Sequence, residues 1–263
     1  MQMVPFSAID KADTAWVMIS AALVLLMTLP GIALFYAGLV RRKNVVNTLA
    51  AVFAVACIVT LTWFALGYSL AFTADSPWLG NLSRAWFSSL HYDGKRSMLS
   101  VSHLAPHLPE AAYALFQAAF AIITTCLIVG AVVERMRFAT LLVFAALWSV
   151  AVYAPVAHWV WEGGGWLNQL GALDFAGGAV VHVNAGVAAL VCATMLGRRR
   201  GYGTEAFEPH SLGWTAIGTA LLLFGWFGFN AGSALSADGR AALAFVVTLV
   251  AAAAGGLAWM LME

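Results

Sequence analysis

The chain has 263 residues, of which 62% are hydrophobic and only 10% are charged, and its formal net charge is +1. An average soluble domain has about 25% charged residues, so this composition excludes a water-facing surface over most of the chain and indicates contact with hydrocarbon. The near-neutral charge also excludes a nucleic-acid partner, because no basic face is available to neutralise phosphates.

Seven hydrophobic segments are each long enough to cross a bilayer, which takes about 20 apolar residues in a helix. In chain order they cover residues 14–40, 46–72, 111–133, 138–160, 175–196, 211–232 and 241–262. The sequence therefore predicts an all-α fold, a polytopic bundle of transmembrane helices that forms a single transmembrane domain over residues 1–263.

Basic residues predict the orientation of these spans. Eight of them follow spans one, three and five: Arg41, Arg42, Lys43, Arg135, Arg137, Arg198, Arg199 and Arg200. Five lie on the opposite side, three of these in the long loop 73–110, where charge has little effect on topology. Because cytoplasmic loops carry the excess of Lys and Arg, we expect these loops in the cytoplasm, the N-terminus outside, and the protein in the inner (cytoplasmic) membrane.

Polar groups within the predicted spans cluster near the start of span five. Asp174 lies where that helix is predicted to begin, so its carboxylate can cap the helix N-terminus. Two roles stay open for Asp174: a purely structural cap, or an acid with a function. His182 follows eight residues later, which in a regular helix places it about 12 Å deeper. A histidine at that depth either lines a pore or packs against a neighbouring helix. His158, near the outer end of span four, is interpreted as structural or interfacial.

Aromatic residues recur at helical spacing on two of the spans. The sets are Phe116 and Phe120 on span three, and Trp226, Phe229 and Ser233 on span six. Residues three and four apart share one helix face, so each set forms a stripe, which usually serves packing. A stripe that ends in a hydroxyl, together with Trp161 at the outer end of span four, can instead bind a small cation through ring faces and one hydrogen bond.

Five motifs in order along the chain resemble those of the ammonium transporter (Amt/Mep/Rh) family. They are PGIALFYAGLVRRKN at 30–44, GYSLAF at 67–72, GAVVER at 130–135, DFAGG at 174–178 leading to GRR at 197–199, and GWFGFNAGS at 225–233. The resemblance covers nearly every predicted span. It implies a transporter of ammonium or ammonia that is not an enzyme and has no catalytic residues, no metal and no cofactor.

The resemblance also implies roles for individual residues. Trp161, Phe120 and Ser233 match an ammonium recruitment site at the outer face. Phe120 and Phe229 match a pair of stacked rings, a phenylalanine gate, that closes the outer end of the pore. His182, with Trp226, is placed along a hydrophobic pore, and Asp174 matches a structural acid near the recruitment site. Glu162, directly after Trp161, departs from the usual pattern and predicts a different charge at the outer mouth.

The family fold implied by this resemblance has two inverted repeats of five helices. Residues 14–197 correspond to the first repeat, and residues 211–262 correspond to the first two helices of a second repeat that is incomplete here. We expect a fragment or a degenerate member of the family. The family also implies a homotrimer and a PII-type regulatory protein bound at the cytoplasmic face. Two alternatives stay open: an ammonium-sensing membrane domain of a signalling protein, or a transporter fragment that conducts nothing.

Overall fold

The computed structural model describes residues 2–263 of the chain, and helices that could cross a membrane dominate it. Within those residues, seven helices are long and apolar enough to do so: Lys11–Leu39, Arg42–Phe72, Glu110–Val132, Phe138–Gln169, Gly178–Leu196, Leu212–Gly232 and Gly239–Met262. We call them spans one to seven. The predicted helical bundle is confirmed. Span five begins at Gly178, three residues after the approximate predicted start.

Four of the spans within residues 2–263 contain a stretch of π-helix. These stretches are Met27–Ile32, Trp63–Gly67, Ser149–Tyr153 and Gly178–Val183, in spans one, two, four and five. The first contains Pro30, which has no N–H to donate and so breaks the regular hydrogen-bond pattern. The last contains His182, and single π-helical turns within helices are frequent at functional sites.

A small antiparallel sheet covers one end of the bundle. Its strands are β1 (Gln2–Pro5), β2 (Tyr92–Asp93), β3 (Met98–Ser102) and β4 (Ala105–Pro109), and β3 pairs with each of the other three. The N-terminal strand is thereby joined to the long loop between spans two and three. We call this end of the bundle, formed by residues 2–10, 73–109 and 233–238, the sheet face.

The opposite end collects the basic loops that follow spans one, three and five, and we call it the arginine-rich face (residues 40–44, 133–137 and 197–211). Glu134 lies at its centre, with a side chain that is only 1% exposed, and it forms ion pairs with Arg41 and Arg199, each at 3.2 Å. Burial raises the pKa of the Glu134 carboxyl, but hydrogen bonds from Asn44, Arg41 and Arg199 outweigh burial and hold that pKa below its usual value. One carboxylate therefore joins three loops.

Span three is the centre of the bundle, because most of its apolar length is buried, whereas spans five, six and seven are largely exposed. Span six packs on span one through glycines. A Cβ on Gly218, Gly225 or Gly228 would lie 2.6–2.8 Å from a backbone oxygen of span one, a distance that real Cβ atoms do not reach. The small residues of span six thus permit the close approach of these two helices.

Candidate functional site

The three predicted recruitment residues line one cavity at the sheet face. The cavity has a volume of about 170 Å³, and we call it the sheet-face cavity; its walls are formed by Leu104, Tyr113, Phe116, Gln117, Phe120, Trp161, Phe175, Ser233 and Leu235. The Trp161 ring meets Phe120 edge to face, with 5.7 Å between ring centroids. Trp161, Phe120 and Ser233 come from spans four, three and six, so the helix packing brings them together from distant parts of the chain.

Below the cavity lie the rings predicted to form a gate. Phe120 and Phe229 are stacked, with centroids 4.3 Å apart and planes inclined by 26°, and each side chain is about 1% exposed. The His182 ring is next, with its centroid 5.8 Å from that of Phe229 and 6.2 Å from that of Trp226. The cavity, the ring pair and His182 therefore follow one another in that order.

Span three supplies the floor and one wall of the cavity from a single helix face. Tyr113, Phe116, Gln117 and Phe120 are spaced three, four and seven residues from the first, which places them on one side of the helix. The sequence analysis recognised Phe116 and Phe120 but missed Tyr113 and Gln117. The signal was present, since a glutamine at this spacing inside an apolar span is costly unless it faces a polar site.

Two oxygen atoms in the cavity can accept hydrogen bonds. Within residues 2–263 the buried Oε1 of Gln117 has no partner, while its Nε2 donates to Tyr113 Oη at 3.3 Å. The Ser233 hydroxyl donates to the Phe229 carbonyl oxygen at 2.9 Å, which leaves its own lone pairs free. A cation with N–H groups would meet two acceptors and several aromatic faces here.

Asp174 caps span five with its whole carboxylate. Its Oδ1 and Oδ2 accept hydrogen bonds from four successive backbone N–H groups, those of Gly177, Gly178, Ala179 and Val180. Its backbone carbonyl accepts a hydrogen bond from Trp161 Nε1 at 3.0 Å. Asp174 thus joins the tryptophan of the cavity to the helix that carries His182.

His182 lies closer to the start of its helix than the sequence analysis expected. Because span five begins at Gly178, His182 is four residues from the helix start, and the regular helix assumed from Asp174 to His182 does not exist over residues 174–177. The His182 side chain is exposed, and its ring nitrogens make no hydrogen bond within residues 2–263. By contrast, His158 is fully buried, with its ring nitrogens 2.9 and 2.7 Å from the carbonyl oxygens of Ala71 and Ser76.

The chain is similar to known ammonium transporters over almost its whole length. The sequence model of the Ammonium Transporter Family matches residues 15–263. An ammonium transporter from Bacillus subtilis is 49% identical over 254 residues, which cover 97% of this chain and 60% of that protein. The crystal structure of Candida albicans Mep2 superposes with a TM-score of 0.88 at 38% identity, over 98% of this chain and 56% of that one.

A second solved structure has a different description. A protein described as a sensor Amt protein superposes with a TM-score of 0.82 at 27% identity, over 95% of this chain and 62% of that one. In each of these comparisons the chain spans roughly three-fifths of the length of the relative that it matches.

Proposed function

The chain belongs to the ammonium transporter family, a family of multi-pass membrane transporters rather than enzymes, and we propose that it takes part in moving ammonium or ammonia across a membrane. The observation that carries this proposal is the order of three features: an aromatic cavity with oxygen acceptors, a stacked ring pair below it, and His182 below the rings. The three features provide a place to bind the cation, a barrier, and a group that can accept a hydrogen bond or a proton.

Capture at the cavity depends on ring faces and oxygens. A cation over an aromatic face gains about 0.5–2 kcal/mol, more where water is excluded. Trp161 and Phe120 supply faces, and Ser233 Oγ with Gln117 Oε1 supplies acceptors for two N–H groups. Together these groups replace part of the water that surrounds ammonium in solution. Potassium could use the rings, but it has no N–H to donate.

Passage below the rings requires loss of the charge. An ammonium ion entering hydrocarbon costs several kcal/mol or more, while neutral ammonia costs much less. We propose that a ring nitrogen of His182, directly below the Phe120–Phe229 pair, accepts a proton from the ion, and that ammonia then passes His182 and Trp226. An imidazole without internal partners is free to bond ammonia, to relay the proton, or to do both.

The assembly and orientation complete the proposal. We propose that the arginine-rich face is cytoplasmic, that the sheet face and N-terminus are outside the inner membrane, and that the protein forms a homotrimer. A PII-type regulatory protein would bind at the arginine-rich face, near residues 41–43 and 198–208. The distribution of Lys and Arg supports the orientation, and membership of the family supports the trimer and the regulator.

A sensor is the second candidate, because the sensor Amt protein has the same fold. A sensor needs the binding cavity but not conduction. Binding and uptake therefore separate the two functions and should be measured on the same protein.

The test uses the purified chain in detergent and in liposomes, with methylammonium as the probe. We expect saturable binding that Trp161→Leu weakens by about tenfold, since roughly 1.4 kcal/mol of cation–π attraction is lost, and uptake that His182→Ala changes. Trp259→Leu, at an exposed tryptophan of span seven, is the matched control. Binding without uptake would favour the sensor or a non-conducting fragment. Absence of binding would contradict the assigned cavity.

A further inference from the structure

A hairpin of the sheet lies over the cavity. Strands β3 and β4 are joined by the turn at His103 and Leu104, and residues 98–109, which we call the roof hairpin, lead directly into span three at Glu110. Leu104, at the tip of the turn, is one of the residues that line the sheet-face cavity. The hairpin therefore forms part of the cavity wall on the side away from the phenylalanine pair.

One histidine joins the tip of this hairpin to the wall that carries Trp161. His103 Nε2 lies 2.8 Å from Glu162 Oε1, and its Nδ1 lies 3.3 Å from Arg84 Nη2. A neutral ring satisfies both contacts, because Nε2–H donates to the carboxylate while Nδ1 accepts from the guanidinium. Arg84 is itself paired with Glu110 at 3.0 Å. Glu162 directly follows Trp161, and its side chain is only 2% exposed.

A second histidine joins β4 to the wall that carries Ser233. His107 Nε2 donates to the Leu235 carbonyl oxygen at 3.0 Å and lies 3.5 Å from Asp13 Oδ2. The other oxygen of Asp13 accepts the backbone N–H of Ala237 at 2.8 Å. Leu235 also lines the cavity, and its φ of 55° is a conformation that a branched side chain adopts only where neighbours enforce it.

We propose that the roof hairpin sets the size of the cation that the cavity accepts, and that His103 and His107 are the positioning residues that hold the roof to the two walls. This inference rests on the proposed function. Aromatic faces by themselves do not prefer ammonium, because cages of aromatic rings bind quaternary ammonium groups well. Leu104 and Leu235 both line this cavity of about 170 Å³, so the positions of their side chains limit the room for methyl groups on a bound cation.

The test measures binding of ammonium, methylammonium and tetramethylammonium to the purified chain. We expect wild type to prefer methylammonium to tetramethylammonium by at least about tenfold, which is roughly 1.4 kcal/mol. His103→Ala and His107→Ala should each lower that ratio by about fivefold or more, with methylammonium affinity itself changed less. His103→Gln keeps a donor for Glu162 and should restore the ratio. Leu104→Ala removes the roof side chain but leaves the contacts of His103 and His107 in place, and it should also lower the ratio.

Amide hydrogen exchange tests the histidine contacts separately. In His103→Ala and His107→Ala we expect peptides covering residues 98–109 and 233–238 to exchange about tenfold faster, with the spans unchanged. His91→Ala is the control, at an exposed histidine of the same face. Unchanged exchange would overturn the positioning roles. Faster exchange with an unchanged ratio would overturn the size filter. If wild type binds no ammonium ion at all, the proposed function and the size filter both fail, while exchange still decides whether the histidines hold the roof.

Discussion

At the scale of single residues, Asp174 holds the start of span five. Four backbone N–H groups point at its two carboxylate oxygens, and hydrogen bonds to a charged group are worth about 1.5–3 kcal/mol each. In Asp174→Asn one oxygen becomes an NH₂ group that faces two N–H donors. We expect a loss of about 1–3 kcal/mol in the free energy of unfolding, measured by thermal unfolding in detergent.

The substitution should also affect the sheet-face cavity, because the backbone carbonyl of Asp174 accepts a hydrogen bond from Trp161 Nε1. We therefore expect methylammonium binding to weaken along with stability. The matched control is Asp75→Asn, at an exposed aspartate of the sheet face. It should leave stability and methylammonium binding unchanged. If Asp174→Asn proves as stable as the control, the carboxylate is not the cap that anchors this helix.

The sequence predicted which side chains lie together better than it predicted where span five begins. Trp161, Phe120 and Ser233 do share a cavity, and Phe229 does stack on Phe120. The start of span five was placed too early because hydropathy does not distinguish residues 175–177 from helix, whereas the Asp174 carboxylate accepts hydrogen bonds only from backbone N–H groups beyond Ala176. A helix start depends on where backbone N–H groups find acceptors.

At the scale of elements, the contact between spans one and six depends on glycines. A Cβ on Gly228 would lie 2.7 Å from the backbone oxygen of Ser20 and 2.6 Å from Leu23 Cβ. Because neither a backbone atom nor a Cβ can rotate away, Gly228→Ala must push the helices apart. We expect a loss of about 1–3 kcal/mol in stability, as for other overpacked sites, measured by thermal unfolding in detergent.

Gly213→Ala provides the control on the same helix. Its added methyl group would meet only Ser211 Oγ, at 3.7 Å, which is ordinary contact, and Ala favours a helix over Gly. We expect the Gly213→Ala variant to be as stable as wild type or slightly more stable. Equal stability of the two variants would show that the glycines of span six do not set the distance between the spans.

The spans were predictable from sequence, whereas the strands were not. A run of apolar residues shows a transmembrane helix directly, because the bilayer requires the whole segment to be apolar. Strands β1 to β4 are short, and the pairing of Gln2–Pro5 with Met98–Ser102 joins segments almost a hundred residues apart. No local pattern encodes such a pairing. The π-helical stretches were also missed, because hydropathy does not report which carbonyl each N–H reaches.

At the scale of the whole molecule, the two ends of the bundle differ in chemistry. The sheet face carries the cavity and two histidines that contact carboxylates, while the arginine-rich face gathers Arg41 and Arg199 around Glu134. The proposed capture of ammonium requires the cavity to open to the side from which ammonium is taken up. The orientation in the membrane is therefore part of the mechanism.

Cysteine labelling in intact cells measures this orientation. In a variant with Cys57, Cys126 and Cys192 replaced by Ser, a single thiol is introduced at Lys95→Cys on the sheet face or at Ala206→Cys on the arginine-rich face, both exposed positions. Because basic loops stay cytoplasmic, we expect a charged, membrane-impermeant maleimide to label Lys95→Cys in intact cells and to label Ala206→Cys only after the membrane is opened.

The variant that keeps Cys57 alone is the internal control. Cys57 is exposed on the lateral surface of span two, so its thiol should face lipid and stay unlabelled under both conditions. The reverse pattern, with Ala206→Cys labelled in intact cells, would put the arginine-rich face outside. In that case the cavity of Trp161, Phe120 and Ser233 would open to the cytoplasm, and its proposed role in capturing external ammonium would be wrong even though the fold stands.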